Sequence, residues 1–206
     1  RLASAVSYEA DEKPWSGWWW PFTSGGIVTG KGYNGHPAPL EKYDLVTHGS
    51  MTGPATQYGL ANYYDPSAKG WEGLCFLWAV AAMMEREPSH RGIYGGTLFN
   101  VGDKKGILTA AYDGVNFRRH AIRNPMDFQE ILGRFIRNQR SVIVMDLGTD
   151  GEVWNYPVFK YDINSTKLGN TNHYTVKVYY ATDSVSPDYV GTRVSSKTYY
   201  YFYETE

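Results

Sequence analysis

The segment Leu74-Cys-Phe-Leu-Trp-Ala-Val-Ala-Ala-Met-Met-Glu85 decides how this chain is expected to fold. Every residue before Glu85 is apolar, and Leu, Ala and Met are good helix formers. A helix that is apolar on all sides is buried, whereas a surface helix has one polar face. The sequence therefore predicts a buried helix here. It ends at Glu87-Pro88, because the residue before a proline avoids helical backbone angles.

The first turn of this helix carries Cys75, the only cysteine of the chain. Unpaired N–H groups and the helix dipole stabilise a thiolate at such a position. The same N–H groups can bind the oxyanion that forms when a thiolate attacks a carbonyl. We therefore predict that Cys75 is a nucleophile with a lowered pKa. The alternative is a small apolar residue of the core.

The rest of the chain predicts an α+β fold in which the buried helix packs on a mostly antiparallel sheet. A second helix is predicted from Asn124-Pro125 to Ile136, because apolar residues recur on one face. Extended segments follow it, and a sheet that comes after the helices is typical of α+β domains. The predicted strands are Ser141–Asp146, Val153–Tyr161 and His173–Tyr180, with a polar loop at 164–172.

The chain length of 206 residues predicts one domain, residues 1–206. Three parts are expected within it: an irregular lobe rich in Trp and Gly at 1–70, a helical part at 71–138 and a β-sheet part at 139–206. The last ten residues, 197–206, read as a strand that stops at the end of the chain. A cut carboxy terminus is therefore an alternative to a complete domain.

Composition excludes several classes of function. The formal net charge of -1 gives no basic surface for nucleic acid. No apolar run approaches the roughly 20 residues that a membrane-spanning helix needs, and a single cysteine excludes an internal disulfide framework. Aromatic residues make up 16% of the chain and charged residues 20%. This composition suits a folded, β-rich domain and favours an extracytoplasmic protein.

A cysteine nucleophile needs a base that comes from another part of the chain. His173 opens an alternating strand after the helix and is the predicted base, with an exposed strand residue as the alternative. Asp146, at the end of a buried strand, is predicted either to orient the imidazole or to cap the following turn. Asp146, Asp150 and Glu152 could also suggest a calcium loop, but their spacing fits no EF-hand.

Tryptophans supply the candidate substrate-binding residues. The cluster Trp15-Ser-Gly-Trp-Trp-Trp-Pro21 is either an aromatic plug of the core or a wall of a substrate cleft. On the second interpretation, the side chains that bind substrate are Trp18, Trp19, Trp20, Trp71 and Trp154.

The segment Gly73–Pro88 resembles the active-site helix of the transglutaminase elicitor family, which is known from oomycete cell walls and some bacteria. Other segments agree with the family in the same order. They are Trp15–Pro21 with Glu41–Asp44, then Tyr112–Gly114, and finally Glu152–Tyr161. The last of these is similar to the peptide that plants recognise in the oomycete members.

The resemblance implies a papain-like, transglutaminase-like fold and a secreted protein that cross-links other proteins without calcium or any other cofactor. In that reaction the Cys75 thiolate attacks the carboxamide of a protein glutamine, and a lysine amine resolves the thioester. His173, which precedes a Val-rich strand, is similar to the histidine of papain-type enzymes.

Three alternatives to cross-linking stay open. Water in place of the amine would make the protein a papain-like protease or a deamidase. An inactive scaffold would be a binding module with an aromatic surface. A processed toxin or effector would need a second chain or a carboxy-terminal fragment, because the family's carboxy-terminal His-Pro-Asp-Phe stretch is absent here. The tryptophans near the thiol favour transfer to an amine, since they exclude water.

Overall fold

A computed structural model describes residues 5–30, 32–33 and 37–204. The helices are α1 (Pro39–His48), α2 (Pro54–Asn62), α3 (Cys75–Met84), α4 (Val101–Ala111) and α5 (Pro125–Leu132), which continues as a π-helical turn at Gly133–Asn138. The strands are β1 (Val6–Glu9), β2 (Gly92–Tyr94), β3 (Thr97–Phe99), β4 (Ile143–Asp146), β5 (Asn155–Leu168), β6 (Thr171–Ala181) and β7 (Val194–Glu204).

The main sheet has five antiparallel strands and confirms the predicted α+β class. Its order is β1-β5-β6-β7, and β4 also pairs with β5. β4 and β1 follow one another along β5, since Val158 pairs with Ile143 whereas Ile163 pairs with Val6. The first strand, β1, and the last, β7, therefore belong to one sheet.

The polar loop predicted at 164–172 is wrong, because most of that segment is strand. β5 extends to Leu168, and β6 begins at Thr171 after a tight turn. Gly169 occupies this turn with a φ of 60°, which glycine adopts without steric strain. The polar residues are paired within the hairpin, as Asn164 is with Thr175. Their backbone hydrogen bonds, and not their side chains, hold them in the sheet.

The segment 1–70 is more regular than predicted. β1 joins the main sheet, and two helices, α1 and α2, lie in the part of the chain that was predicted to be an irregular lobe. Pro39 and Pro54 stand at the first turns of α1 and α2, where a missing N–H group costs nothing. Both prolines therefore begin helices.

Two groups of apolar side chains position the site. α5 and the π-helical turn pack on one face of the sheet, where Leu132, Ile136 and Val176 are almost fully buried. α3 packs against β4 and the start of β5 through Trp78 and its alanines. The predicted buried helix on an antiparallel sheet is thus confirmed. Among the described helices, none combines the length and apolar character that crossing a bilayer requires.

Candidate active site around Cys75

The start of α3 is held by the tryptophan-rich segment. The Leu74 N–H group donates to the Trp19 carbonyl at 2.8 Å, and Gly73 pairs with Pro21 in an isolated β-bridge. A Cβ atom on Gly73 would lie 2.9 Å from the carbonyl oxygens of both Trp19 and Trp20. Only glycine therefore lets this segment approach so closely, and this contact fixes where Cys75 begins the helix.

The Cys75 sulfur faces the loop that leads into β5. Its thiol donates to the Val153 carbonyl, with an S···O distance of 3.8 Å. The backbone N–H and side-chain amide of Asn155 and the Phe76 N–H also act on the sulfur, and each lowers its pKa. Such donors stabilise a thiolate and can serve the oxyanion of an acyl-transfer step.

Burial nevertheless raises the pKa of the Cys75 thiol, and it is the largest influence. The side chain is 5% exposed, and the nearby Asp183 carboxylate raises the pKa further. The lowered pKa expected from the helix dipole is therefore not found. A buried thiolate loses more solvation free energy than the hydrogen bonds from these few N–H groups supply. Cys75 is therefore a neutral thiol in the resting protein.

Asp183 is the buried acid next to Cys75. It follows β6, and its side chain is fully buried. Burial raises the pKa of Asp183 to about 6, although a hydrogen bond from the Ser184 hydroxyl opposes this shift. One carboxylate oxygen accepts that bond at 3.3 Å, and the other has no partner among the described residues. The second oxygen can therefore accept a proton.

Tyr156 completes the cluster of ionisable groups. Burial raises its pKa, and Asp183, Tyr180 and Cys75 raise it further. The rings of Tyr156 and Tyr180 lie 4.5 Å apart. The Tyr156 hydroxyl therefore stays protonated and is a neutral hydrogen-bond donor beside the thiol and the acid.

The structure does not place His173 at the site, so its predicted role as base does not fit. His173 pairs with Thr166, is exposed and stacks on the Phe202 ring at 5.6 Å. It lies seven residues before Tyr180 on β6, about 24 Å along the strand at roughly 3.4 Å per residue. In a β-hairpin the end of β6, not its start, lies beside the start of β5.

The other described histidines do not replace it. His48 contacts Asp44 and Thr47, His90 contacts Ser89, and His120 packs against a phenylalanine ring. No histidine in the described part of the chain is hydrogen-bonded to Cys75.

Asp146 caps a turn and does not orient an imidazole. Its Oδ1 accepts hydrogen bonds from the Gly148 and Trp154 N–H groups, both at 3.0 Å. Asp150 similarly accepts the Glu152 N–H. These carboxylates hold the loop that carries Val153. Within the described ranges, no three side chains that could bind a metal are grouped together.

Two of the five predicted tryptophans lie together at the site. Trp19 and Trp154 meet edge to face, with ring centroids 5.4 Å apart. Trp20 is instead 1% exposed in the core and packs on Trp18. Trp71 lies beneath the Lys69 ammonium, four residues before Cys75. The plug interpretation therefore holds for Trp20, and the cleft interpretation suits the Trp19–Trp154 pair.

Residues 63–122, which contain α3 and Cys75, match the family described as transglutaminase elicitor. The resemblance to the transglutaminase elicitor family is confirmed. The fold is similar to that in "Crystal structure of the GP42 transglutaminase from Phytophthora sojae", with a TM-score of 0.81. That likeness covers 99% of this chain and 78% of the other at 17% identity, so it shows the fold. No curated protein matches the chain.

Two residues of the candidate site, Asn155 and Asp183, were not predicted from the sequence. Asn155 stood inside a predicted strand, and Asp183 followed one. The usable signal was the hairpin turn at Gly169, since antiparallel pairing brings residues just after β6 to the start of β5. Sequence could not show that Asp183 is buried, because an aspartate after a strand is usually exposed.

Proposed function

We propose that the chain is a calcium-independent protein-glutamine γ-glutamyltransferase, with Cys75 as the nucleophile and Asp183 as the proton acceptor and donor. The observation that carries this proposal is the position of the only cysteine. It begins the helix that matches the family, the amide donors of Asn155 act on its sulfur, and the charge of the buried Asp183 is near enough to raise the pKa of its thiol. In this proposal Asp183 has the role of base that was predicted for His173.

In the first half of the reaction, the Cys75 sulfur attacks the carboxamide carbon of a glutamine side chain, and its proton passes to Asp183. The N–H groups of Asn155 stabilise the resulting oxyanion. As the tetrahedral intermediate collapses, Asp183 returns the proton to the leaving nitrogen. Ammonia departs, and a thioester between Cys75 and the substrate remains.

In the second half, a lysine amine attacks the thioester carbon and gives a proton to Asp183. The carbon–sulfur bond breaks, the sulfur regains the proton, and an isopeptide bond has formed. Neither half needs a metal or another cofactor. The Trp19 and Trp154 rings are in contact, and Trp154 follows Val153, whose carbonyl accepts from the thiol. We expect this aromatic pair to exclude water and to favour an amine as the acceptor.

The proposal is tested by incubating a glutamine-containing peptide with the chain, with and without cadaverine, and measuring ammonia and product masses. We expect ammonia release that depends on Cys75 and a peptide–cadaverine adduct as the main product. Addition of EGTA should change neither rate. The Cys75→Ala variant should be inactive, whereas Asp11→Asn, an exposed substitution, should leave activity unchanged.

The outcomes separate the alternatives. Equal yields of hydrolysed peptide with and without cadaverine would establish a deamidase or protease instead. An absence of any ammonia with folded protein would favour the inactive binding module. Activity that appears only when a co-purifying fragment is added would mean that a second chain completes the site, and the intact mass of native material would detect that fragment.

An extracellular location belongs to the same proposal and is supported by the resemblance to a secreted family. Antibody detection in culture medium and in cell fractions tests it. We expect the protein in the medium, and its retention in cells that export other proteins normally would contradict the proposal.

A further inference from the structure

A basic surface lies beside the first turn of α3. Residues 114–140 contain six arginines and two acidic residues, although the formal net charge of the whole chain is -1. The rest of the chain is therefore net acidic, and the positive charge is concentrated in this segment. Five of its basic side chains, all exposed, form what we call the arginine surface: Arg118, Arg119, His120, Arg123 and Arg134.

Aromatic contacts hold the arginine surface against α3. The Phe117 ring meets the Phe76 ring edge to face, with centroids 5.7 Å apart, and the Arg119 guanidinium lies 5.6 Å from the centroid of the same Phe76 ring. Phe76 follows Cys75, and its N–H group acts on the sulfur. Successive residues of a helix are about 100° apart around its axis. Arg119 therefore lies on the face of α3 next to the face that carries the sulfur.

The other members of the surface are joined through Phe135 and α5. The His120 ring meets the Phe135 ring at 5.5 Å, and the Arg134 guanidinium lies 5.4 Å from the centroid of that ring. The Arg123 N–H group donates to the Asp127 carboxylate at 2.9 Å, which places Arg123 at the first turn of α5. Because His120 directly follows the arginine that lies over α3, the basic side chains form one continuous surface.

The arginines of this surface are available to an external anion. None of the ion pairs among the described residues includes Arg118, Arg119, Arg123 or Arg134. A guanidinium that stacks on a ring keeps its N–H donors in the plane of the group, where they match a carboxylate. Electrostatic complementarity therefore favours a partner that carries several negative charges.

Apolar side chains between the arginines favour a peptide over a nucleic acid. Val115, Ile122 and Met126 are exposed in the same segment. A nucleic acid binds mainly through a row of phosphates, and the net acidic remainder of the chain repels a long polyanion. A peptide that carries both acidic and apolar side chains matches both kinds of group on this surface.

We propose that the arginine surface binds an acidic segment of the protein substrate, close in sequence to the glutamine that reaches Cys75. This inference rests on the proposed function, which supplies the glutamine. An extended peptide advances about 3.3 Å per residue, so residues near the glutamine pass Arg119 while the glutamine is at the sulfur. The arginines select the substrate and take no part in breaking or forming bonds.

Binding is tested by fluorescence anisotropy with the Cys75→Ala variant, which cannot turn the probe over. The acidic probe is a fluorescein-labelled peptide, Glu-Glu-Leu-Gln-Leu-Glu-Glu, and the matched probe has serine in place of each glutamate. We expect the acidic probe to bind about tenfold or more tightly than the serine probe. Its affinity should fall in about 0.5 M NaCl, because salt screens exposed charges.

Variants locate the contact. Arg119→Gln should weaken binding of the acidic probe about two- to fivefold, since one exposed ion pair contributes little. Combining it with Arg123→Gln and Arg134→Gln should weaken binding about tenfold or more. Arg140→Gln is the matched control, because it removes the same charge from a side chain that pairs with Asp11, and it should bind as the parent does. Circular dichroism verifies that each variant is folded.

Three results would each overturn the proposal. They are equal affinity for the two probes, an unchanged affinity in the folded triple variant, and tighter binding of an oligouridylate than of the acidic probe. The last result would assign the surface to nucleic acid.

The ammonia assay separates this proposal from the proposed function. In the active chain, Arg119→Gln should raise KM for the acidic peptide about two- to fivefold and leave kcat unchanged, because Arg119 acts on binding alone. Binding of the acidic probe without ammonia release would contradict the proposed function and support the arginine surface as a peptide-binding site. Ammonia release with the same KM for both peptides would contradict the arginine surface and leave the proposed function in place.

Discussion

At the scale of single residues, Asp183 is held where its charge is costly. Its pKa of about 6 lies above the 3.8 of an aspartate in water, and burial is the main cause. The folded protein therefore binds the proton more tightly than the unfolded chain does. Ionising Asp183 in the folded state therefore costs stability. This cost is absent below about pH 4, grows as the pH rises through 6, and is complete above that.

We expect Asp183→Asn to remove this penalty. Relative to the parent, the variant should gain free energy of unfolding between pH 4 and pH 7, up to about 3 kcal/mol for a shift of about two pKa units. Urea unfolding at several pH values measures the difference. A difference that stays constant across this pH range would contradict the raised pKa.

The same variant should be a poor catalyst. If Asp183 exchanges the proton with Cys75, Asp183→Asn lowers kcat by about 10²–10⁴-fold, the usual contribution of general acid–base catalysis. In the parent, kcat/KM should rise with pH through about 6 as Asp183 ionises. A variant that keeps both rate and rising limb would remove Asp183 from the mechanism.

The rate of Cys75 alkylation should rise in Asp183→Asn, whereas kcat falls. The Asp183 charge raises the pKa of the thiol, so its removal lets the thiol ionise more readily. We expect iodoacetamide to react slowly with the parent at pH 7. At pH 8 it should react faster with Asp183→Asn than with the parent. Rapid alkylation of the parent at pH 6 would show that the thiolate, not the thiol, is the resting form.

At the scale of elements, the junction between Gly73 and the tryptophan segment positions Cys75. A methyl group on Gly73 would collide with two backbone carbonyls, which cannot rotate away. We expect Gly73→Ala to cost about 1–3 kcal/mol of stability and to reduce ammonia release. Thermal unfolding and the peptide assay measure these effects.

Gly70→Ala is the matched control for that junction. A Cβ atom there meets nothing within 4 Å, so stability and activity should stay close to those of the parent. Similar losses in both variants would mean that the loop before α3, and not the contact with Trp19 and Trp20, sets the position of Cys75.

The helices and strands also show which parts of the fold could be predicted from the sequence. The run after Leu74 is apolar on every side, so α3 and its burial were readable from residue types alone. β5 and β6 were cut short because polar residues in their hairpin look like a loop, although β-pairing holds them. The base was misplaced for a related reason. Pairing direction decides which end of β6 reaches Cys75, and no single residue carries that information.

At the scale of the whole molecule, Lys105 ties distant segments together. Its buried ammonium donates to the carbonyls of Ser16 and Tyr189 and to the Glu87 carboxylate, each at 2.7 Å. It also lies over the Trp15 ring, 4.8 Å from the centroid. One buried ammonium therefore binds three separate segments: the N-terminal segment, the loop after α3 and the chain before β7.

We expect Lys105→Met to lower the free energy of unfolding by about 3–5 kcal/mol, because it leaves buried acceptors without a donor. Lys104→Met is the control, since the Lys104 ammonium only covers the Tyr94 ring and should cost about 1 kcal/mol or less. Urea midpoints compare the two. Equal losses would show that Lys105 contributes packing alone.

The contacts between residues 16–18 and residues 184–191 also affect the order in which the fold assembles. Ser16 donates its N–H to the Gly191 carbonyl, and Trp18 forms a β-bridge with Ser184, the residue after Asp183, so two distant parts of the chain meet beside Asp183. Contacts between such distant residues form late in folding. During synthesis, the thiol leaves the ribosome more than a hundred residues before its acid partner. Under the proposed function, a nascent chain should therefore be unable to modify its neighbours until the segment that carries Asp183 has been made.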